Sequence, residues 1–125
     1  MLPQPGAAAT VEVVVGQEDT AVALGSGDVP VLATPRVLAL AERATVAAVA
    51  SSLGPGQTTV GAHVELDHLR PSFVGARVRV EATLREVRGR RLTFDVRASE
   101  GGQAVAAGTV TRVLVARERF TPPAG

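Results

Sequence analysis

Three kinds of side chain in this sequence could carry acid–base chemistry, and each stands where its surroundings do not require it. The run "AHVELDHLRP", residues 62–71, holds both histidines. Read as a strand, it alternates with period two, so Ala62, Val64 and Leu66 share one face and His63, Glu65 and Asp67 the other. His68 then ends the apolar row. An imidazole there is either a core-edge group bonded to a backbone carbonyl or a working base. His63, beside Glu65 on the polar face, reads as solvated. Glu42 interrupts the apolar stretch "TPRVLALAERATVAAVASSLGPG". Its helical neighbours Leu38, Ala39, Thr45 and Val46 carry no positive charge, and Arg43 points about 100° away around a helix. The carboxylate therefore reaches water at an end of the sheet, meets an arginine from a strand, or serves a site. Packed together, a helix carboxylate and a strand-end imidazole can orient one another and set the basicity of the histidine.

Thr34 stands before Pro35 at the head of that apolar stretch, which makes it the expected N-cap with Pro35 in the first helical position. A hydroxyl at a helix start lies among free backbone N–H groups at the positive end of the helix dipole. Such a place suits an acyl carbonyl whose oxygen becomes negative in a transition state.

These residues need a helix and a sheet to hold them. Gly54-Pro55-Gly56 ends the helix, giving about 18 residues and roughly 27 Å of length. It is apolar nearly all round, as expected of a helix wrapped by a sheet. "TVEVVVG" (10–16) reads as a first strand, and "GQEDTAVALGSGDVP" as a short strand running into a glycine-rich loop at 25–28. Four strands are expected after the helix: "TVGAHVELDHL", "ARVRVEATLREV", "RRLTFDVRAS" and "QAVAAGTVTRVLVARE". In the second, Ala76, Val78, Val80, Ala82 and Leu84 should point inward and Arg77, Arg79, Glu81, Thr83 and Arg85 outward. In the third, Leu92, Phe94 and Val96 should point inward. Gly89 and Gly101-Gly102 mark hairpin turns. The expected fold class is α+β: one long central helix wrapped by a curled antiparallel sheet of about five strands, the last four a meander. This is the hotdog arrangement. Residues 1–125 read as a single domain with "TPPAG" as a tail. One helix cannot cover such a sheet alone, so a homodimer or higher homo-oligomer is expected.

Composition narrows the function. With three Phe and no Trp or Tyr, the core has to be thin and aliphatic. Basic and acidic residues interleave to a net charge of +1, every basic residue is Arg, and stacking aromatics are missing, so no nucleic-acid partner is expected. The absence of cysteine excludes disulfides, thiolate metal sites and a cysteine nucleophile. The two histidines face opposite ways along one strand, so no metal site is expected either. The outward arginines of 77–97 read as a solvated sheet face. The N-terminus lacks a charged and apolar leader, and Glu42 and Arg43 break the longest apolar run. No membrane association is expected, and the cytoplasm is the expected location.

Taken together, these residues resemble the fluoroacetyl-CoA thioesterase-like group of hotdog thioesterases. The matching parts are "ATPRVLALAE", with Thr34 and Glu42 eight apart, "GAHVELDHLRPSFVG", with Gly61, His68 and Gly75 seven apart, and "EVRGRRLTFDVRA". The likeness runs from about residue 31 to 125. The resemblance implies a catalytic set of Thr34, Glu42 and His68 acting on an acyl-CoA substrate, with the backbone of Gly61 close to the thioester carbonyl and no cofactor. It also implies a dimer with two sites at the subunit interface, shaped by residues of both chains along the strand that follows the helix. Fluoroacyl-selective members carry a phenylalanine lid ahead of the threonine. The corresponding stretch here, "GSGDVPVLAT", has no aromatic residue, so that selectivity is not expected.

The expected activity is hydrolysis of a small acyl-CoA thioester, with His68 as base, Glu42 orienting it and Thr34 at the carbonyl. Direct attack by the Glu42 carboxylate stays open. The alternative is a non-catalytic acyl-CoA or small-ligand binding module on the same fold, for which a coupled carboxylate and imidazole would be superfluous. A hydratase ranks last, because "DHLRP" is a poor match to the expected Asp and His strand-end motif.

Overall fold

The strict alternation of residues 76–96 becomes the floor of the structure. The computed structural model of the chain describes residues 2–123. Its strands are β1 (Ala8–Val14), β2 (Gln57–His68), β3 (Arg77–Arg88), β4 (Arg91–Glu100) and β5 (Gln103–Ala116), and its long helix, α2, spans Thr34–Val49. Val78, Val80, Ala82 and Leu84 of β3 and Leu92, Phe94 and Val96 of β4 are all buried. Against them α2 buries Val37, Leu40, Ala41, Ala44, Thr45, Ala48 and Val49. Burying each larger aliphatic side chain stabilises the fold by about 1.5–3 kcal/mol. Phe94 is the buried aromatic, while Phe73 and Phe120 are exposed, so the core is aliphatic as expected. Beyond Val49 the helix tightens into a 3₁₀ turn, Ala50–Ser52, before the Gly-Pro-Gly stop.

All pairings are antiparallel, in the order β1-β3-β4-β5-β2. The one-helix, five-strand hotdog architecture matches expectation, but the four later strands are not a simple meander. Only β3, β4 and β5 follow one another through tight hairpins, where Gly89 and Gly101-Gly102 take positive φ. The link from β2 to β3, residues 69–76, contains Pro71 and crosses the end of the sheet. β2 is thereby left to pair with β5 at the far edge. Among the described residues its other edge is unpaired. Register shifts at Gly61/His63, Leu84/Glu86 and Ala98/Ser99 curl the sheet around the helix.

The segment expected to hold a short strand is helical instead. A 3₁₀ turn, Gln17–Asp19, runs into α1 (Ala21–Leu24), which Thr20 caps by accepting from the Ala23 N–H at 3.2 Å. The glycine-rich stretch then follows as a loop. Of the expected tail, residues 121–123 follow a last 3₁₀ turn, Arg117–Phe120, and residues 124 and 125 lie outside the described residues. Among the described residues no helix is long and apolar enough to cross a membrane.

The helix lies chiefly over β1 and β3 and touches β2 and β5 less. Val64 and Leu66, on the inner face of β2, are consequently only half-buried.

Candidate active site

His68 ends β2 because the chain turns there. Leu69 donates its N–H to the Val105 carbonyl at 2.7 Å, and Pro71 has no N–H with which to continue the ladder. The side chain shares the inward row with Val64 and Leu66, as expected, and is half-buried. Ala62 departs from that row: the register shift between Gly61 and His63 turns it outward, and it is exposed. His63 is solvent-facing beside Glu65, 3.8 Å away.

The imidazole of His68 meets Thr34, with Nδ1 2.8 Å from the threonine Oγ1. Nε2 is buried and has no hydrogen-bond partner among the described residues, so Nδ1 is the ring nitrogen that meets another side chain. Desolvation by burial holds the His68 pKa below its ordinary 6.5, and the adjacent backbone of Arg70 offsets this in part. Burial thus favours the neutral form of the ring. The dyad opens on a cleft of about 360 Å³ whose wall includes Gly27, Val29, Val31 and Leu69.

Thr34 is not the N-cap. Ala33 holds that position without any side-chain cap, and Thr34 is the first residue of the helix. The reason lies upstream. Asp19, nearly buried, accepts from Arg36 Nε at 2.8 Å and from the Gly16 N–H at 2.8 Å, and its backbone carbonyl takes the Ala33 N–H at 2.9 Å. That anchor fixes the helix start one residue earlier and releases the Thr34 hydroxyl to His68. The helix start also offers fewer free donors than expected: Arg36 and Val37 both donate to the Ala33 carbonyl, and Pro35 has no N–H.

Glu42 lies elsewhere. Eight residues of helix place it about 12 Å further along the axis than Thr34. Its Oε2 accepts from Arg112 Nη1 at 3.1 Å, and Arg112 also donates to Thr59 Oγ1 at 2.8 Å and to the Thr59 carbonyl at 3.0 Å. The guanidinium side chain is 9 % exposed and the carboxylate side chain 35 %. Of the three explanations for Glu42 in the sequence, the arginine from a strand is realised. The expectation that Glu42 orients His68 is not met within one chain, because helix rise separates them. Gly61 lies beside the carboxylate, where a Cβ would collide with Glu42 Oε2. Glycine there leaves room for the carboxylate against the β2 backbone. Sequence reasoning missed Arg112, which stands 70 positions from Glu42; the one signal was an arginine inside the apolar run "TVTRVLVA".

The candidate residues fall into two clusters within one chain: Thr34 with His68, and Glu42 with Arg112 and Gly61. Seven strand residues, roughly 23 Å, separate Gly61 from His68.

Residues 15–118 match the family described as fluoroacetyl-CoA-specific thioesterase. The chain belongs to that family. A relative from Streptantibioticus cattleyicolor named fluoroacetyl-CoA thioesterase is 37% identical over 90 residues, 72% of this chain, and the match spans 65% of that relative's length. A crystal structure of a phenylalanine-to-alanine variant of the fluoroacetyl-CoA-specific thioesterase FlK, in complex with fluoroacetate and CoA, superposes with a TM-score of 0.87. It is 31% identical, covering 94% of this chain and 99% of that one. A thioesterase superfamily member from Thermus thermophilus superposes with a TM-score of 0.88 at 29% identity, covering 95% of this chain and 88% of that one. The stretch ahead of Thr34, residues 25–33, has no aromatic residue. Phe73, 66 % exposed, is bridged through its backbone to Val31, which lines the cleft.

Proposed function

We propose that this chain hydrolyses a small acyl-CoA thioester to the free acid and CoA, as a homodimer in which each site takes its residues from both subunits. The hydrogen bond between Thr34 and His68 carries the chemical part of this reading. Without substrate the threonine hydroxyl satisfies Nδ1. With an acyl-CoA bound, the hydroxyl turns to the carbonyl oxygen and an attacking water takes its place at the imidazole. His68 accepts the water proton, the water oxygen bonds to the carbonyl carbon, the C–S bond breaks, and the proton passes to the departing thiolate. Family membership and the likeness to a chain solved with fluoroacetate and CoA support the substrate class.

The two clusters, read as half-sites, supply the dimer argument. β2 has a free edge. Antiparallel pairing of two β2 edges about an axis between Val64 and Glu65 would set Gly61 of one subunit opposite His68 of the other. Glu42 of the second subunit then faces the imidazolium formed in the reaction, and the Gly61 backbone lies at the thioester carbonyl. The same association covers Val64 and Leu66, which one helix leaves half-exposed. Thiol release from a panel of short acyl-CoAs, followed with a thiol-reactive dye, tests the activity. Hydrolysis that falls on the order of 10²- to 10⁴-fold in His68→Ala is the expected outcome. Acyl-CoA binding without turnover would instead establish the binding-module alternative.

A further inference from the structure

The cleft lined by Thr34 and His68 is roomier than the smallest acyl group needs. At about 360 Å³ it has space for on the order of ten water molecules, and an acetyl group would leave most of it wet. Val29, Val31 and Leu69 line it together with Leu32 and Ala33, the last two almost fully buried. Backbone bonds hold these walls in place. Ala21 donates its N–H to the Val31 carbonyl at 2.8 Å, and Leu32 donates to the Ser72 carbonyl at 2.8 Å. An antiparallel bridge joins Val31 to Phe73. The cleft is thus preformed, and an occupant does not have to order it on binding. Val29 and Leu69 are each more than half exposed, so their apolar surface is free for an occupant to cover. Asp28 and Arg70 also line the cleft, but they are of opposite charge and both exposed. Arg70 is already engaged, donating to Gln103 Oε1 at 2.5 Å. The wall therefore has no net sign with which to select an ionic acyl group.

We propose that the preferred substrate carries an unbranched aliphatic acyl group of about four to six carbons, which lies in this cleft, and that Val29 and Leu69 set the preference. The assignment rests on the thioesterase reading and names the acyl class for the same site. Thr34 and His68 hold the carbonyl, and the alkyl chain runs from there over Val31, Leu69 and Val29. At about one water's share of volume per carbon, six carbons fill roughly half of the cleft. The carbonyl oxygen, the sulfur and the attacking water take up much of the remainder. Moving one methylene from water onto an apolar wall is worth about fourfold in kcat/KM when burial is complete. Here Val29 and Leu69 leave one side of the chain wet, so about two- to threefold per methylene is expected. The gain stops once the chain passes the mouth of the cleft.

The test measures kcat/KM for acetyl-, butanoyl-, hexanoyl-, octanoyl- and glutaryl-CoA with the wild-type protein, Leu69→Ser and Val29→Ser. In parallel, calorimetry gives the affinities of the S-ethyl, S-butyl and S-hexyl thioethers of CoA, which cannot be hydrolysed. Both substituted residues stand outside the core, so both variants should fold. For the wild type, kcat/KM should rise by about 10- to 100-fold from acetyl- to hexanoyl-CoA and then level off at octanoyl-CoA. Each variant should cut the hexanoyl-to-acetyl ratio by about five- to tenfold, with thioether affinities following the same order. Three results would overturn the assignment: acetyl-CoA as the best substrate, a chain-length preference that both variants retain, or glutaryl-CoA outrunning hexanoyl-CoA, which would set Arg70 on a distal carboxylate. Thioether binding that strengthens with chain length and is lost in the variants, with no thioester hydrolysed, would uphold the cleft and refute the hydrolase reading. Absence of both hydrolysis and length-dependent binding would refute the two together.

Discussion

Replacing Arg112 by methionine should separate the half-site's structural role from its chemical one. Methionine keeps most of the apolar stem and removes the guanidinium. Two groups then lose their donor, the Thr59 hydroxyl and the Thr59 carbonyl; Thr59 is only 8 % exposed. Each orphaned buried polar group costs about 1–3 kcal/mol. Part of that is offset, since a buried cation no longer has to be desolvated and Glu42, 35 % exposed, can rehydrate. The net loss works out at about 2–3 kcal/mol, and for a chain of this length about 4 °C of Tm accompanies each kcal/mol, so Tm should fall by about 8–12 °C. Glu42→Gln should cost under about 1 kcal/mol, because the amide still accepts from Arg112 and the pair is open to water on the carboxylate side. Thermal unfolding followed by circular dichroism, at one fixed subunit concentration, reads both. If Arg112→Met leaves Tm within about 2 °C of wild type, the Thr59–Arg112–Glu42 network does not hold β2 to β5 as described. A loss in Glu42→Gln as large as in Arg112→Met would place the energy in the ion pair and contradict the reasoning equally.

Thr34→Ala and Thr34→Val should each lower turnover, yet leave stability within about 0.5 kcal/mol, since Thr34 caps nothing; unfolding curves beside initial rates check this. Gly61→Ala should cut kcat/KM by at least about tenfold through displacement of the Glu42 carboxylate, with little change in Tm because a flexible side-chain end can swing aside. His68 has a folded pKa below 6.5, so the unfolded state binds more protons in the window beneath that value. Its contribution to stability is therefore full above pH 6.5 and lost as pH falls through the folded pKa, and His68→Gln should abolish this slope. The acid limb of the kcat/KM profile should likewise lie below 6.5, because burial of the His68 ring disfavours its charged form. His63→Ala, on the opposite strand face, should change neither rate nor profile.

Much of the scaffold was legible because alternation is a local property. The inward rows of β3 and β4, the hairpin glycines and the span of α2 all follow from residues close in sequence. What escaped the sequence depends on distant partners. The placement of β2 beside β5 is decided by a long proline-containing link, and the partner of Glu42 stands on the last strand. Thr34 reads as a cap from its neighbours alone; Asp19, upstream on a 3₁₀ turn, moves the cap to Ala33. The Ala62 facing was lost to a bulge that no periodicity signals. Glu42, His68 and Gly61 stand out in the sequence because a carboxylate, an imidazole and a glycine on apolar elements are conspicuous. Their division into two separate clusters depends on distances along a helix and a strand.

That division is most directly tested by mixing lesions. Chains carrying His68→Ala and chains carrying Glu42→Gln, differently tagged, are co-expressed and the mixed dimer is isolated and assayed for thiol release. If each site joins Thr34 and His68 of one subunit to Glu42 of the other, one of the two sites in the mixed dimer is intact. About half the wild-type rate should then return, while each parent homodimer stays inactive. A mixed dimer as inactive as its parents would mean that His68 and Glu42 serve the same site from the same chain, and the shared active site would be wrong.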